Sequence, residues 1–357
     1  MAHQWRGVIR EYFDRLDVDS STPIITLGEG GTPLIEAPAL AKLIGADQVY
    51  LKYEGMNPTG SFKDRGMTMA VSKAVGEGAK AVICASTGNT SASAAAYAAA
   101  AGITSVVLVP QGKISLGKLS QAVAHKTKIL QVQGNFDDCL TLARDLSDNY
   151  PVHLVNSVNP DRIEGQKTGA FEVFDSLGRA PDFHVLPVGN AGNYSAYFKG
   201  YLEDFNEGRI KRVPKMYGYQ AEGSAPFVHG GPVKNPDTIA TAIRIGNPAS
   251  WDLAQSAMEC SMGKFGAVSD AEILWMHRFL SQEAGVFVEP SSATGAAGIY
   301  KASQQGESFA GALIVVTVTG HGLKDPMWAL KDEAGNEITP EAVSANAAEV
   351  AERLGLA

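Results

Sequence analysis

Two spacings of apolar positions take turns along this chain. Over residues 5–16 apolar side chains recur three and four apart, as on one face of a helix. Over 48–54 apolar and polar residues alternate, the spacing of a half-buried strand. From residue 64 the exchange becomes regular. Helices are expected over 64–75, 91–101, 114–125, 136–148, 161–177 and 194–206. Short apolar strands are expected over 81–85, 105–109, 128–133, 152–156, 182–188 and 216–221. Helices near 250–260, 270–284 and 293–304 lead to a very apolar strand over 312–319, and a more polar stretch closes with a helix at about 340–354. Short strands alternating with helices are βα units and predict an α/β protein with mostly parallel sheets. No Ser/Pro-rich linker divides the chain, so two α/β layers are expected to trade segments around a cleft. The alanine-rich run 92–101 predicts a buried helix packed closely on a sheet.

Composition narrows the class. The chain has 357 residues, 45% of them apolar, enough for one large or two ordinary domains. Its 38 glycines predict many tight turns or close backbone approaches. Thirty Lys and Arg against 38 Asp and Glu leave a net charge of −8 with no basic block, which argues against a nucleic-acid partner. Cys84, Cys139 and Cys260 are scattered, with no paired spacing, so neither a disulfide framework nor a metal site is expected, and a reducing, cytoplasmic setting is. The first residues carry no apolar signal core, and no apolar run is long enough to span a bilayer.

The candidate chemistry begins at Asn57-Pro-Thr-Gly-Ser-Phe-Lys-Asp-Arg-Gly66. Asn57, Pro58 and Gly60 are turn residues, and Ser61 with Asp64 makes a capping-box-like pair. Lys63 then falls in the first turn of a helix, where the dipole disfavours a cation. A lysine that loses its proton is a nucleophile able to form a Schiff base with an aldehyde, although a solvated lysine beside a cap has the same sequence.

Three further stretches join strands to helix starts. Ser86-Thr-Gly-Asn-Thr-Ser91 gathers hydroxyls, an amide and backbone N–H groups, as a carboxylate or phosphate site does, and as a polar N-cap also does. Gly189-Asn-Ala-Gly-Asn193 follows an apolar strand and can wrap a phosphate, but it is neither a dinucleotide fingerprint nor a Walker loop. Asn156-Ser-Val-Asn-Pro-Asp-Arg162 offers an amide, a hydroxyl and a guanidinium; it suits a substrate phosphate or an ordinary turn. Thr319 ends the most apolar strand, where α/β ligand sites gather, and supplies a neutral hydroxyl. The loose glycine pattern over 76–81 closes a helix instead of opening one and is read as a helix C-terminus.

These strings, with Glu29-Gly-Gly-Thr-Pro-Leu34 and Thr319-Gly-His-Gly-Leu-Lys-Asp-Pro326, resemble in order and spacing the threonine synthase family of fold-type II pyridoxal-phosphate enzymes, in its shorter bacterial form. The resemblance implies two open, mostly parallel twisted sheets flanked by helices, as in the tryptophan synthase β chain, with the active site between domains. It implies a large cofactor-binding domain from 1–60 plus 156–357, and a smaller mobile domain, 61–155, carrying Lys63 and the 86–91 loop. It implies pyridoxal 5′-phosphate on Lys63, with its phosphate on Gly189, Asn190, Ala191, Gly192 and Asn193, its ring 3′-oxygen on Asn89 and its ring nitrogen on Thr319. The substrate, O-phospho-L-homoserine, would place its carboxylate on Ser86, Thr87, Asn89 and Thr90, and its phosphate on Asn156, Ser157 and Arg162 with Thr90. Lys63 would take the α-proton, phosphate would leave the γ-carbon, and water would add at the β-carbon. A homodimer is implied, with no nucleic-acid or membrane partner. Two other readings share the scaffold's features: a threonine or serine dehydratase or another β-replacing enzyme, and a non-catalytic phosphate-binding module.

Overall fold

The computed structural model describes residues 3–112, 116–332 and 335–356. In chain order the first elements are α1 (Val8–Glu11), β1 (Leu34–Glu36), α2 (Pro38–Ile44), β2 (Gln48–Tyr53), α3 (Lys63–Gly76), β3 (Ala81–Ala85), α4 (Asn89–Ala101) and β4 (Thr104–Pro110). Next come α5 (Leu116–Ala124), β5 (Lys128–Val132), α6 (Phe136–Asn149), β6 (Val152–Leu154), α7 (Pro160–Leu177), β7 (Phe183–Pro187), α8 (Gly192–Asn206) and β8 (Lys215–Ala221). The chain continues through α9 (Pro226–His229), α10 (Trp251–Cys260), β9 (Lys264–Val268), α11 (Asp270–Glu283), α12 (Pro290–Gln304), β10 (Leu313–Val318) and α13 (Ala347–Arg353).

The strands form two sheets. One has six strands in the order β1-β2-β10-β7-β8-β9, parallel except where β1 runs against β2. The other has four parallel strands, β5-β4-β3-β6. Period-two alternation sends each strand's side chains to two cores. In β3, Val82 and Cys84 join one core with Met67 and Val71 of α3 and Tyr97 of α4, while Ile83 and Ala85 join another with Cys139 and Ala143 of α6. The larger sheet is covered the same way. Val316 and Val318 pack with α2, α11 and α12, and Val315 packs with α7, α8 and α10. All six residues of β10 are buried, as a central parallel strand requires.

Chain order explains how the sheets are joined. After β2 the chain leaves for the four-stranded sheet and returns through α7 to the six-stranded one. The outgoing helix α3 and the returning helix α7 touch backbone to backbone. A Cβ on Gly165 would lie 1.9 Å from the carbonyl oxygen of Arg65, and one on Gly66 would lie 2.6 Å from Arg162 Nε. Beside this contact the fully buried Arg65 donates to Glu54 (2.7 and 2.8 Å) and to Glu172 (2.5 and 2.7 Å), and Lys52 Nζ meets Glu172 at 2.6 Å. Two cations balance two carboxylates there, so the buried charges are paired and hydrogen-bonded.

Several expectations are corrected. The helix over 5–16 is only α1 and one 3-10 turn, Phe13–Arg15, separated by Tyr12 at φ −119°. Its apolar residues Val8 and Ile9 pack on Met69 and Phe171, so tertiary contact and not length fixes it. The Ser61–Asp64 capping box does not form. Asp64 turns to Thr59, accepting from its N–H (2.7 Å) and hydroxyl (2.6 Å), and to Ser93 (2.5 Å). α12 begins at Pro290, three residues before the expected start. β1, α2, α9 and β9 were absent from the expected pattern; each is short or lies at a sheet edge. Of the helix expected over 114–125, residues 114 and 115 lie outside the described residues.

The chain divides after Asp325 into a large unit and a small one. In the small unit the expected terminal helix shrinks to α13, which starts where Asn346 accepts the Ala348 N–H at 3.0 Å, and Arg353 meets Glu341 at 2.6 Å. Among the described residues no helix is long and apolar enough to cross a membrane.

Candidate active site

Helix α3 begins on Lys63 itself. The loop before it is stitched to the end of β10: Phe62 N–H donates to Thr319 O (3.0 Å), Ser61 bridges to Gly320, and His321 N–H donates to Gly60 O (2.9 Å). Gly60 makes this turn at φ 85°, which favours glycine. Burial lowers the Lys63 amine to about 7; the Arg162 guanidinium pushes the same way and the Glu289 carboxyl opposes. The depression expected from the helix start thus also has two other sources, desolvation and a neighbouring cation.

Thr319 follows β10 and is buried. Its hydroxyl lies 2.9 Å from the Ser292 hydroxyl, which also accepts the Gly320 N–H at 2.7 Å. Asn89 opens α4, and its Nδ2 donates to Glu289 at 3.0 Å. Glu289, directly before α12, is buried, and desolvation raises its carboxyl to about 7. Lys63, Asn89 and Thr319 are thus tied to one point through Glu289, Ser292 and the Phe62–Thr319 bond.

The 189–193 loop follows β7 and opens α8. Gly189 packs tightly, since a Cβ would lie 3.0 Å from the Ile243 Cα. Ala191 is left-handed at φ 64°, and no side chain caps α8. Asn190 is held from outside, its carbonyl accepting the Ser250 N–H (3.1 Å) and its side-chain oxygen the Ala249 N–H (3.3 Å). The Asn193 amide is buried with neither its oxygen nor its nitrogen partnered. An uncapped helix start and an orphaned amide together have the makings of an anion cradle.

The other two stretches meet at the end of β3. Ser86 to Thr90 are partly exposed; Ser86 Oγ accepts the Gly88 N–H (3.2 Å), and α4 has no side-chain cap. Both ends of the Asn156 amide bind the backbone of Ala85, at 2.9 and 3.0 Å, which fixes where this loop begins. Arg162 is almost fully buried. One nitrogen donates to Val155 O (2.9 Å), Nε has no partner, and desolvation lowers the guanidinium to about 10. Among the described residues no hydrogen bond joins Arg162 to Ser157 or Thr90.

Glu289 and Ser292 were missed from the sequence. The signal available was the string Val288-Glu-Pro-Ser-Ser292, an acid directly before a helix-starting proline after an apolar strand-like run. Lys324 was seen only as part of a motif. Its ammonium donates to Thr59 O (3.0 Å) and to Gln121, beside a cavity of about 420 Å³ that also touches Asn57, Gly60 and His321.

Residues 25–320 match the family model described as pyridoxal-phosphate dependent enzyme, and the chain belongs to that family. Within it, the chain groups with the threonine synthases. It is 58% identical to the threonine synthase of Mycobacterium tuberculosis (strain ATCC 25618 / H37Rv) over 357 residues, covering 99% of this chain and 98% of the relative. It is 56% identical to that of Synechocystis over 94% of this chain and 88% of the relative, and 48% identical to that of Methanocaldococcus jannaschii over 91% and 82%. Among solved structures, maize serine racemase is similar in fold (TM-score 0.73, 19% identity, 89% of this chain and 94% of that one). So is an L-serine ammonia-lyase from Rhizomucor miehei (0.68, 24%, 82% and 94%). The cofactor of the family is pyridoxal phosphate. The depressed lysine, the anion cradle with its orphaned amide and the buried uncharged hydroxyls fit its aldehyde, phosphate and ring.

Proposed function

We infer that this protein converts O-phospho-L-homoserine and water to L-threonine and phosphate, the last step of threonine biosynthesis. It is a pyridoxal-phosphate-dependent carbon–oxygen lyase acting on phosphates. The observation that carries this is the 58% identity to threonine synthases over almost the full length of both chains.

The residue roles are proposed as follows. Lys63 would hold the aldehyde, Gly189 to Asn193 the phosphate, Asn89 the ring oxygen and Thr319 the ring nitrogen. Bound there, pyridoxal phosphate supplies an electron sink for a carbanion at the substrate α-carbon. Lys63, lowered to about 7, gives up its proton far more readily than an ordinary lysine, which suits a general base for the α-proton. Ser86, Thr87, Asn89 and Thr90, around the uncapped start of α4, receive the carboxylate. Arg162, with its unpartnered Nε, receives the departing phosphate with Ser157, Thr90 and Asn156. The Ser292–Thr319 hydroxyl pair would meet the ring nitrogen with a neutral partner and impose no charge there.

Residues 61–155 are proposed as the domain that closes over substrate, since they contain the whole four-stranded sheet. The small-molecule reaction is proposed to run in the cytoplasm, on a homodimer. Light scattering should give twice the 37.6 kDa chain mass, and a monomer at working concentration would end that part of the proposal.

A product assay tests the function. The protein, with pyridoxal phosphate, is incubated separately with O-phospho-L-homoserine and with L-threonine. Threonine and phosphate in equal amounts from the first are expected. Product from the second alone, as 2-oxobutyrate and ammonia, would make the enzyme a dehydratase.

A further inference from the structure

Glu289 stands directly before α12, 4% exposed, in extended backbone with Pro290 following. Short polar side chains at this position commonly cap their own helix; the longer one of Glu289 makes no such bond. It reaches instead to α4, where Asn89 Nδ2 lies 3.0 Å from one carboxyl oxygen and 3.3 Å from the other. On its other flank it presses on the residue after Thr319. A Cβ on Gly320 would come within 2.5 Å of Glu289 Oε1, and the Glu289 N–H donates to Gly320 O at 3.1 Å. The acid is therefore wedged between the end of β10, in one sheet, and the first residue of the helix that follows β3, in the other.

That wedge has a chemical consequence. An asparagine amide has a donor end and an acceptor end of nearly equal shape. A carboxylate held against it accepts, and so selects the NH2 end. The second N–H on the same nitrogen stays available to another acceptor. Without the carboxyl, the amide can turn and offer its carbonyl, which repels an oxygen. We propose that Glu289 is a positioning residue for the cofactor: by holding Asn89 Nδ2 it fixes the donor end of that amide for the ring oxygen of pyridoxal phosphate. The inference rests on the role proposed above for Asn89. The selection is made by the ionised carboxylate, which only accepts; a protonated carboxyl can also donate to the amide oxygen and selects neither end. The charged groups around it are Lys324 and Lys63, which favour its ionised form, and Asp325, which disfavours it.

The test follows the cofactor instead of turnover. Full-length protein freed of cofactor is titrated with pyridoxal phosphate, and the dissociation constant and the position of the visible absorbance band are read for wild type, E289A, E289Q, N89A and the double variant E289A/N89A. Loss of one oriented hydrogen bond is expected to weaken cofactor binding about tenfold in E289A and to move the band. E289Q, whose amide can accept the same bond but can also turn and donate, should recover only part of the affinity, and the double variant should bind no more weakly than N89A. Wild-type affinity with an unmoved band in E289A, or effects of E289A and N89A that add in full, would overturn the proposal. If N89A alone behaves as wild type, the reading of Asn89 is what fails; a band still moved by E289A would then mean that Glu289 acts by another route, and the proposal falls as well. Should E289A not fold, E289D, one methylene short of Asn89, takes its place, and wild-type binding by E289D counts against the proposal.

Discussion

At the scale of single residues, the site depends on how Lys63 is kept short of a proton. Burial is the main cause and Arg162 the second. Two outcomes follow for pH. Because the folded pKa, about 7, lies below the ordinary lysine value of 10.5, the unfolded chain binds more protons between those two values. The cofactor-free protein should therefore gain stability as pH rises through that window, and Lys63→Met should raise its melting temperature at pH 7 by about 3 °C while abolishing turnover. Arg162→Ala should cost roughly 10- to 100-fold in kcat/KM, the worth of a hydrogen bond to a charged group. It should also move the acid limb of the rate profile to higher pH, because the cation that depresses Lys63 is gone. An acid limb that stays in place would separate Arg162 from the lysine. The lysine, Asn89, the glycine loop and Thr319 were legible in the sequence because each stands in a dense local string. Glu289 was not, since what marks it is burial and a partner two hundred positions away.

At the scale of elements, packing decides more than propensity. The rhythm of β3 to β8 could be read directly, because β3, β4, β7 and β8 are the near-continuous apolar runs of largely buried parallel strands, separated by helices of ordinary length. β1 and β9 could not, because a few residues at an edge carry little periodicity and are fixed by their neighbours. The α3–α7 crossing was also invisible in sequence, since Gly66 and Gly165 read as ordinary helix-interior glycines. Their importance can be tested by contrast. Gly165→Ala puts a methyl group 1.9 Å from a backbone oxygen, whereas Gly178, the αL residue ending α7, faces open space. Gly178→Ala should cost about 1 kcal/mol for the left-handed conformation. Gly165→Ala should cost about 3 kcal/mol or more, because backbone cannot step aside, and should lower the melting temperature by roughly 6–12 °C. Equal effects from the two substitutions would mean that α3 and α7 are not in such close contact.

At the scale of the whole molecule, two sheets that trade segments were expected, and the close helix crossing at which the segments meet was not. Outgoing and returning segments meet at one crossing, where Gly66 and Gly165 touch and Arg65 joins Glu54 and Glu172. The excursion from α3 to β6 therefore behaves as a loop with pinned ends. Its far edge is thin: β5 is exposed or half-exposed along its whole length, while β10 is wholly buried. Such a loop can open without untying the rest. In hydrogen–deuterium exchange, amides of β4 and β5 should exchange through a sub-global opening that leaves β7, β10 and the α3–α7 crossing protected. The Arg65 cluster would then act as a hinge-pin in the thermodynamic sense, setting a boundary between two levels of protection within a single chain.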